Sequence, residues 1–158
     1  MARMIFGRRN RSESGQAIIE MALTLPLLLL VVFGIFDFGF MFQRYEVVTN
    51  AAREGARLGV LPDYSEAEAE ARALAYMTTS GIIGTPRACG GAEVARTMCA
   101  DLTYGTTTIP GTPAKVVNEV TVVVEYDHEH VFVGPIAQLF GGTLGTVRLR
   151  SVSRMRRE

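Results

Sequence analysis

Gly15 to Gly59 reads GQAIIEMALTLPLLLLVVFGIFDFGFMFQRYEVVTNAAREGARLG, and the rest of the chain is arranged around it. Ala17 to Phe42 is almost continuously apolar; at about 1.5 Å of rise per residue it makes a helix about 39 Å long, more than the roughly 30 Å hydrocarbon core of a bilayer. Glu20, Thr24, Pro26, Gly34, Asp37 and Gly39 interrupt the run, and Gln43, Arg44 and Tyr45 form its first polar break. Glu20 is an acid just inside the start of a membrane span. Asp37 is a second acid within it, turned about 100° from Glu20 on an ideal helix, so the two cannot serve one partner on one face. Asp37 either snorkels outward or meets a basic group on another membrane helix.

Upstream, Arg3, Arg8, Arg9 and Arg11 against the single acid Glu13 leave residues 1–15 at a net charge of +3, although the whole chain is neutral. Basic residues before an apolar span predict a cytoplasmic N-terminus, with everything after Arg44 on the far side. The apolar run is longer than the 7 to 15 residues of a secretory signal and is closed by no small-x-small site, which argues against a removable signal peptide. Residues 1–15, lacking helical or strand periodicity, read as an accessible leader. Pro26 should kink or loosen the helix locally. Helical character continues past the span until Pro62, which predicts one long helix over residues 16–61, half in lipid and half projecting. In the projecting half Ala52, Gly55, Ala56 and Gly59 form a small-residue strip that admits a close backbone, from this chain or from a neighbour.

These residues resemble those of the type IV pilin-like proteins, and among them the TadE-like family of the tight-adherence (Tad/Flp) pilus system. The resemblance rests on the basic leader ending in Gly15, the glutamate five places later in Gln16-Ala17-Ile18-Ile19-Glu20, the Ala22-Leu23-Thr24-Leu25-Pro26 step and the Ala51-Ala52-Arg53-Glu54-Gly55-Ala56-Arg57 segment. It covers about the first sixty residues. Main pilins of that system usually follow the glutamate with tyrosine, and Met21 here points to a minor pilin or pseudopilin. The resemblance implies cleavage between Gly15 and Gln16 by a prepilin peptidase. It also implies a pairing of Glu20 with the new amino terminus of a neighbouring subunit. The implied partners are that peptidase, other pilin-like subunits, the assembly machinery and membrane lipid. After assembly the protein would stand outside the cell in a pilus. The competing reading keeps the anchor uncleaved, as a bitopic membrane protein whose exported domain binds a ligand.

Residues 62–158 read as a small exported α+β domain with one further helix and a short antiparallel sheet. Its helix, Asp63 to Ser80, opens on a Ser65/Glu68 capping box and stops at Gly81, with Ala67, Ala71, Leu74 and Met77 as the expected buried face and its acids solvated. Residues 82–112 read as loop, with one short strand near Leu102 to Tyr104 and with Cys89 and Cys99 in it. Two cysteines in an exported segment suggest one disulfide, worth at most about 3 kcal/mol for a loop of this length. Val116 to Tyr126 alternates apolar and polar, the pattern of a half-buried strand that turns Glu119, Thr121 and Glu125 outward. Val131 to Phe140 suggests a helical turn under the sheet, and Thr146 to Arg154 a last strand with Arg148 and Arg150 outward.

No catalytic constellation stands out, so no enzymatic activity and no cofactor are expected. Asp127-His128-Glu129-His130 is the one local titratable cluster and reads as a solvated turn, with no metal assigned; the cysteines and histidines match no common zinc-finger spacing. Zero net charge and the lack of an aromatic-basic surface predict no nucleic-acid partner.

Overall fold

A computed structural model describes residues 11–111 and 113–157. Most of the leader, with Arg3, Arg8 and Arg9, lies outside the described residues. The organising stretch is one α-helix, α1 (Arg11–Gly59), 49 residues long, and Pro26 lies inside it without dividing it. Its start corrects the leader reading, because Arg11 to Gly15 is already helical and the Gly15–Gln16 junction sits within the first turns. No proline separates Arg11 from the apolar run, so nothing in the sequence stops the helix from extending backwards.

The globular part follows as α2 (Glu66–Thr79), β1 (Thr85–Pro86), β2 (Thr97–Ile109), β3 (Lys115–His128), α3 (Val133–Leu139) and β4 (Val147–Arg157). The capping box of α2 is present: Ser65 Oγ accepts from the Glu68 N–H at 3.4 Å and Glu68 Oε2 accepts from the Ser65 N–H at 2.8 Å. Gly81 ends the helix at φ +87°, a conformation that side chains disfavour, while the Ile82 N–H reaches back to Met77 O. The buried face of α2 is Ala69, Ala73 and Met77, with Leu74 partly buried against the core; Met77 and Leu74 are as expected, while Ala67 and Ala71 are exposed. Alanines lie all round this helix, so periodicity alone leaves its orientation open. Glu70 is not merely solvated; its carboxylate accepts the Leu102 N–H of β2 at 3.0 Å.

The four strands form one sheet in the order β1-β2-β3-β4, with β1 parallel to β2 and the other pairs antiparallel. The sheet is therefore mixed, and β2, β3 and β4 are 13, 14 and 11 residues long, so it is not short. The segment expected to be loop contributes the whole of β2. Its Thr-rich, weakly alternating sequence has strand propensity without a clear apolar face. The pairing runs without a break from Met98↔Tyr126 to Ile109↔Lys115.

One face of the sheet carries Met98, Leu102, Val120, Val122, Val124, Tyr126 and Leu149 onto Val48, Ala51, Ala52 and Ala56 of α1 and onto α2. Val116, expected on this face, is exposed beyond the end of the core. The core is thus shared with the outer half of the long helix. Gly55 and Gly59 make this contact possible: a Cβ on Gly55 would lie 3.1 Å from Ala73 Cβ and 3.3 Å from Ala69 O, and one on Gly59 would lie 2.6 Å from Leu102 Cδ1. The small-residue strip is filled by this chain's own α2 and sheet.

Candidate functional site

Two regions of α1 carry polar groups where the surroundings are apolar. The first is its N-terminal part. Every residue from Gly15 to Val32 is exposed, and Gly15, Gln16 and Glu20 stand on a helix surface that no other described residue covers. At this level the Thr24 hydroxyl donates to Glu20 O at 2.9 Å and to Met21 O at 3.4 Å. An acid on bare apolar helix costs up to about 3 kcal/mol at a bilayer centre and less near an interface. Glu20 lies near the start of the apolar run, one helical turn from Gln16.

The second region begins at Phe33. From there Phe33, Asp37, Met41, Arg44, Val48, Ala52, Gly55 and Gly59 recur at spacings of three and four and are all at least partly buried. The globular part therefore grips the helix along one stripe that starts well inside the apolar run. Asp37 is 2 % exposed. Its Oδ1 accepts the N–H groups of Val131 and Phe132 at 3.0 and 3.1 Å, and its Oδ2 accepts that of Val133 at 2.7 Å. These are orphan amides at the start of α3, which has no side-chain cap of its own. Asp37 supplies the cap from a different element. Its partner is thus the backbone of residues 131–133, neither open water nor a second membrane helix.

Around this contact Phe132 stacks on Phe33 with ring centroids 5.4 Å apart and lies 6.3 Å from both Phe36 and Phe40. α3 consequently packs along α1 and not under the sheet. One turn further out, Arg44 turns inward. Its Nη1 donates to His128 Nδ1 at 2.6 Å and its guanidinium lies 5.7 Å from the Tyr126 ring centre. His128 is wholly buried, 5.6 Å from the His130 ring. Burial, then the Arg44 charge and His130, push its pKa down to about 4, so the imidazole is neutral at neutral pH. The neutral ring is what allows Nδ1 to accept from arginine.

The reading of Asp127 to His130 as a solvated turn is corrected by the same geometry, since Asp127 and His128 are both 0 % exposed and Glu125 is 5 % exposed. On the sheet face away from α1, Glu125 and Asp127 lie under the 87–97 segment. Arg87 reaches Glu125 at 3.1 Å and Asp127 at 3.2 Å, and Arg148 reaches Asp127 at 2.8 Å. The Gly90 and Val94 N–H groups donate to the same two carboxylates. Burial alone would raise the Asp127 pKa; hydrogen bonds from Arg148 and Val94, with the Arg87 and Arg148 charges, outweigh it and hold it below the usual range. Arg148, expected to point outward, is therefore an internal partner. Cys89 and Cys99 are joined beside Glu125, with Cα atoms 5.3 Å apart. Thiols committed to a disulfide leave Glu125 no metal-binding companions there. This cluster pins the 87–97 loop to the sheet.

Gly15, Gln16 and Glu20, singled out from the sequence, lie together on the exposed start of α1, whereas the Asp37–α3 contact and the Arg44–His128 pair were missed. The available signal was an acid and a basic residue on one stripe of α1, seven residues apart; their partners, residues 131–133 and His128, lie 84 to 96 residues further along the chain. Nothing local connects them. Among family models, the one described as TadE-like protein matches residues 15–57. The match covers the bare N-terminal part of α1 and the stripe as far as Arg57. No curated protein and no solved structure matches the chain.

Proposed function

From the premise that residues 15–57 are TadE-like, we propose that this chain is a minor pilin or pseudopilin of a Tad/Flp-type adhesive pilus. In this reading α1, which is long and apolar enough to cross a membrane, stores the subunit in the bilayer with its N-terminus cytoplasmic and its globular domain outside. A prepilin peptidase cuts between Gly15 and Gln16. The role is structural and not catalytic.

The observation that carries the reading is the division of α1. Its residues from Gly15 to Val32 are all exposed, Glu20 among them, while its outer half is consumed by the protein's own core. A bare half-helix is the part available to pack against other pilin-like helices. There the Glu20 carboxylate would neutralise the free Gln16 amine of a neighbour, and leaving either charge unpaired away from water would be strongly unfavourable. Register between subunits follows from that pairing. The test is Glu20→Ala. Membrane insertion and processing should be retained while piliation is lost, and normal piliation in the variant would contradict the pairing.

The uncleaved bitopic anchor has one observation in its favour, the helix running unbroken through Gly15–Gln16. Peptidase action requires this first stretch to open into extended backbone. The end of a helix frays more readily than its middle, and the junction lies only four residues from Arg11.

A further inference from the structure

Between β3 and β4 the chain runs Val131-Phe132-Val133-Gly134-Pro135-Ile136-Ala137-Gln138-Leu139-Phe140-Gly141-Gly142-Thr143-Leu144-Gly145-Thr146-Val147, seventeen residues without a charge. This lobe does not fold back on the sheet. It descends along α1 towards the N-terminus: Phe132 stacks on Phe33, and Ile136 and Phe140 share a cleft with Pro26, Leu27, Leu30 and Phe33. Its tip therefore lies about 20 Å below Arg44 along the helix axis, near the middle of any bilayer that α1 spans. On the side of α1 facing Val133 and Leu144, a cavity of about 230 Å³ is lined by Leu30, Gly34, Phe38 and Met41.

The outer side of the lobe is as apolar as the helix it lies on. Leu139 is 83 % and Phe140 82 % exposed, and Val131 and Leu144 are about half exposed. In water, side chains of this size each forgo roughly 1.5–3 kcal/mol of burial. Non-helical backbone is tolerated at membrane depth when its polar groups are satisfied within the protein. Here Asp37 takes the amides of residues 131–133, while the Phe140, Gly141 and Gly142 N–H groups return to Ala137 and Gln138 carbonyls. The same contacts settle Asp37, whose charge would otherwise be costly in hydrocarbon.

We propose that the Val131–Gly145 lobe is a re-entrant membrane wedge that enters the leaflet next to the globular domain, with lipid acyl chains packed on Leu139, Phe140 and Leu144. The proposal rests on the reading of α1 as a membrane span. The occupant is lipid because the exposed faces of the lobe and of the part of α1 beside it form one continuous apolar surface. The subunit stored in the membrane is therefore held by two elements, and extraction into a filament must withdraw both.

The chain contains no tryptophan, so a single one reports on its own surroundings. Full-length Phe140→Trp, Leu28→Trp in the span and Val116→Trp at the far end of the sheet are reconstituted in phosphatidylcholine vesicles, with and without bromine at mid-acyl positions. Phe140→Trp should emit to the blue and lose the same fraction of its emission as Leu28→Trp, with no loss for Val116→Trp. Quenching of Leu28→Trp without quenching of Phe140→Trp would overturn the wedge. Acrylamide then tells whether water or a second protein copy covers the lobe. Absence of quenching at both positions would refute the span itself, and the wedge with it. Leu139→Trp, at a side chain that packs on little, repeats the test should Phe140→Trp misfold.

Discussion

Asp127 and Glu129 stand two residues apart at the end of β3, and their surroundings give them different energetic weight. Asp127 is fully buried and holds Arg148, Arg87 and the Val94 amide; Glu129 meets Arg96 at 3.0 Å with both side chains about half exposed or more. Removing one partner of a buried pair leaves an uncompensated charge, so Asp127→Ala should cost about 3–5 kcal/mol. Glu129→Ala should cost under about 1 kcal/mol. Denaturant unfolding of the two variants in detergent measures the difference directly, and equal losses would mean that the buried cluster is not what secures the 87–97 loop. His128 adds a pH dependence. Its pKa falls from 6.5 to about 4 on folding, so the unfolded chain binds the proton more readily between those values. Stability is complete above pH 6.5 and declines as the pH drops to 4. Glu54, held down to about 2 by hydrogen bonds from Arg57 and Arg72, is lowered from 4.5, so its contribution is lost in a separate step below pH 4.5. A titration of the unfolding midpoint should show decline beginning near neutrality. A flat profile down to pH 5 would contradict a buried neutral His128.

At the scale of elements, the long helix, the capping box of α2 and the alternation of β3 were legible because each is a local pattern. Val120, Val122, Val124 and Tyr126 lie on one buried face as their spacing requires. Of β2 only the centre, Leu102 to Tyr104, was legible, because its threonines and single glycine extend the strand only through pairing with β3. The second buried face at the end of β3 was hidden for the same reason: Glu125 and Asp127 read as solvent-facing until Arg87 and Arg148 are brought from 38 and 21 residues away. α3 was found as a helical turn and misplaced, since the acid that caps it is 96 residues away in sequence. Packing of α1 on α2 yields its own prediction. Gly55 already has Ala73 Cβ, Ala69 O and Val122 Cγ1 within about 3.3 Å of where a Cβ would be. Gly55→Val should destabilise the globular part by about 1–3 kcal/mol through overpacking. If it instead left stability intact and blocked assembly, the strip would be serving a neighbouring subunit.

For the whole molecule, the outer half of α1 belongs to the core of the globular domain, so movements of the domain and of the helix are coupled through Val48, Ala51, Ala52 and Ala56. The inner part, Gly15 to Val32, stays exposed, with the lobe after β3 lying along it at Pro26 to Leu30. In the proposed function this makes the membrane anchor a direct extension of the folded domain, so that both would enter a filament together. The candidate site was legible where it is linear, at Gly15, Gln16 and Glu20, and illegible at Asp37 and Arg44, where it depends on the return of residues 126–133. The central claim, processing of a pilin-type subunit, is tested most directly by the N-terminal sequence and intact mass of the chain extracted from membranes of cells carrying a prepilin peptidase. The account predicts a chain beginning at Gln16. A chain retaining Met1 or Ala2 would contradict it and favour the uncleaved anchor.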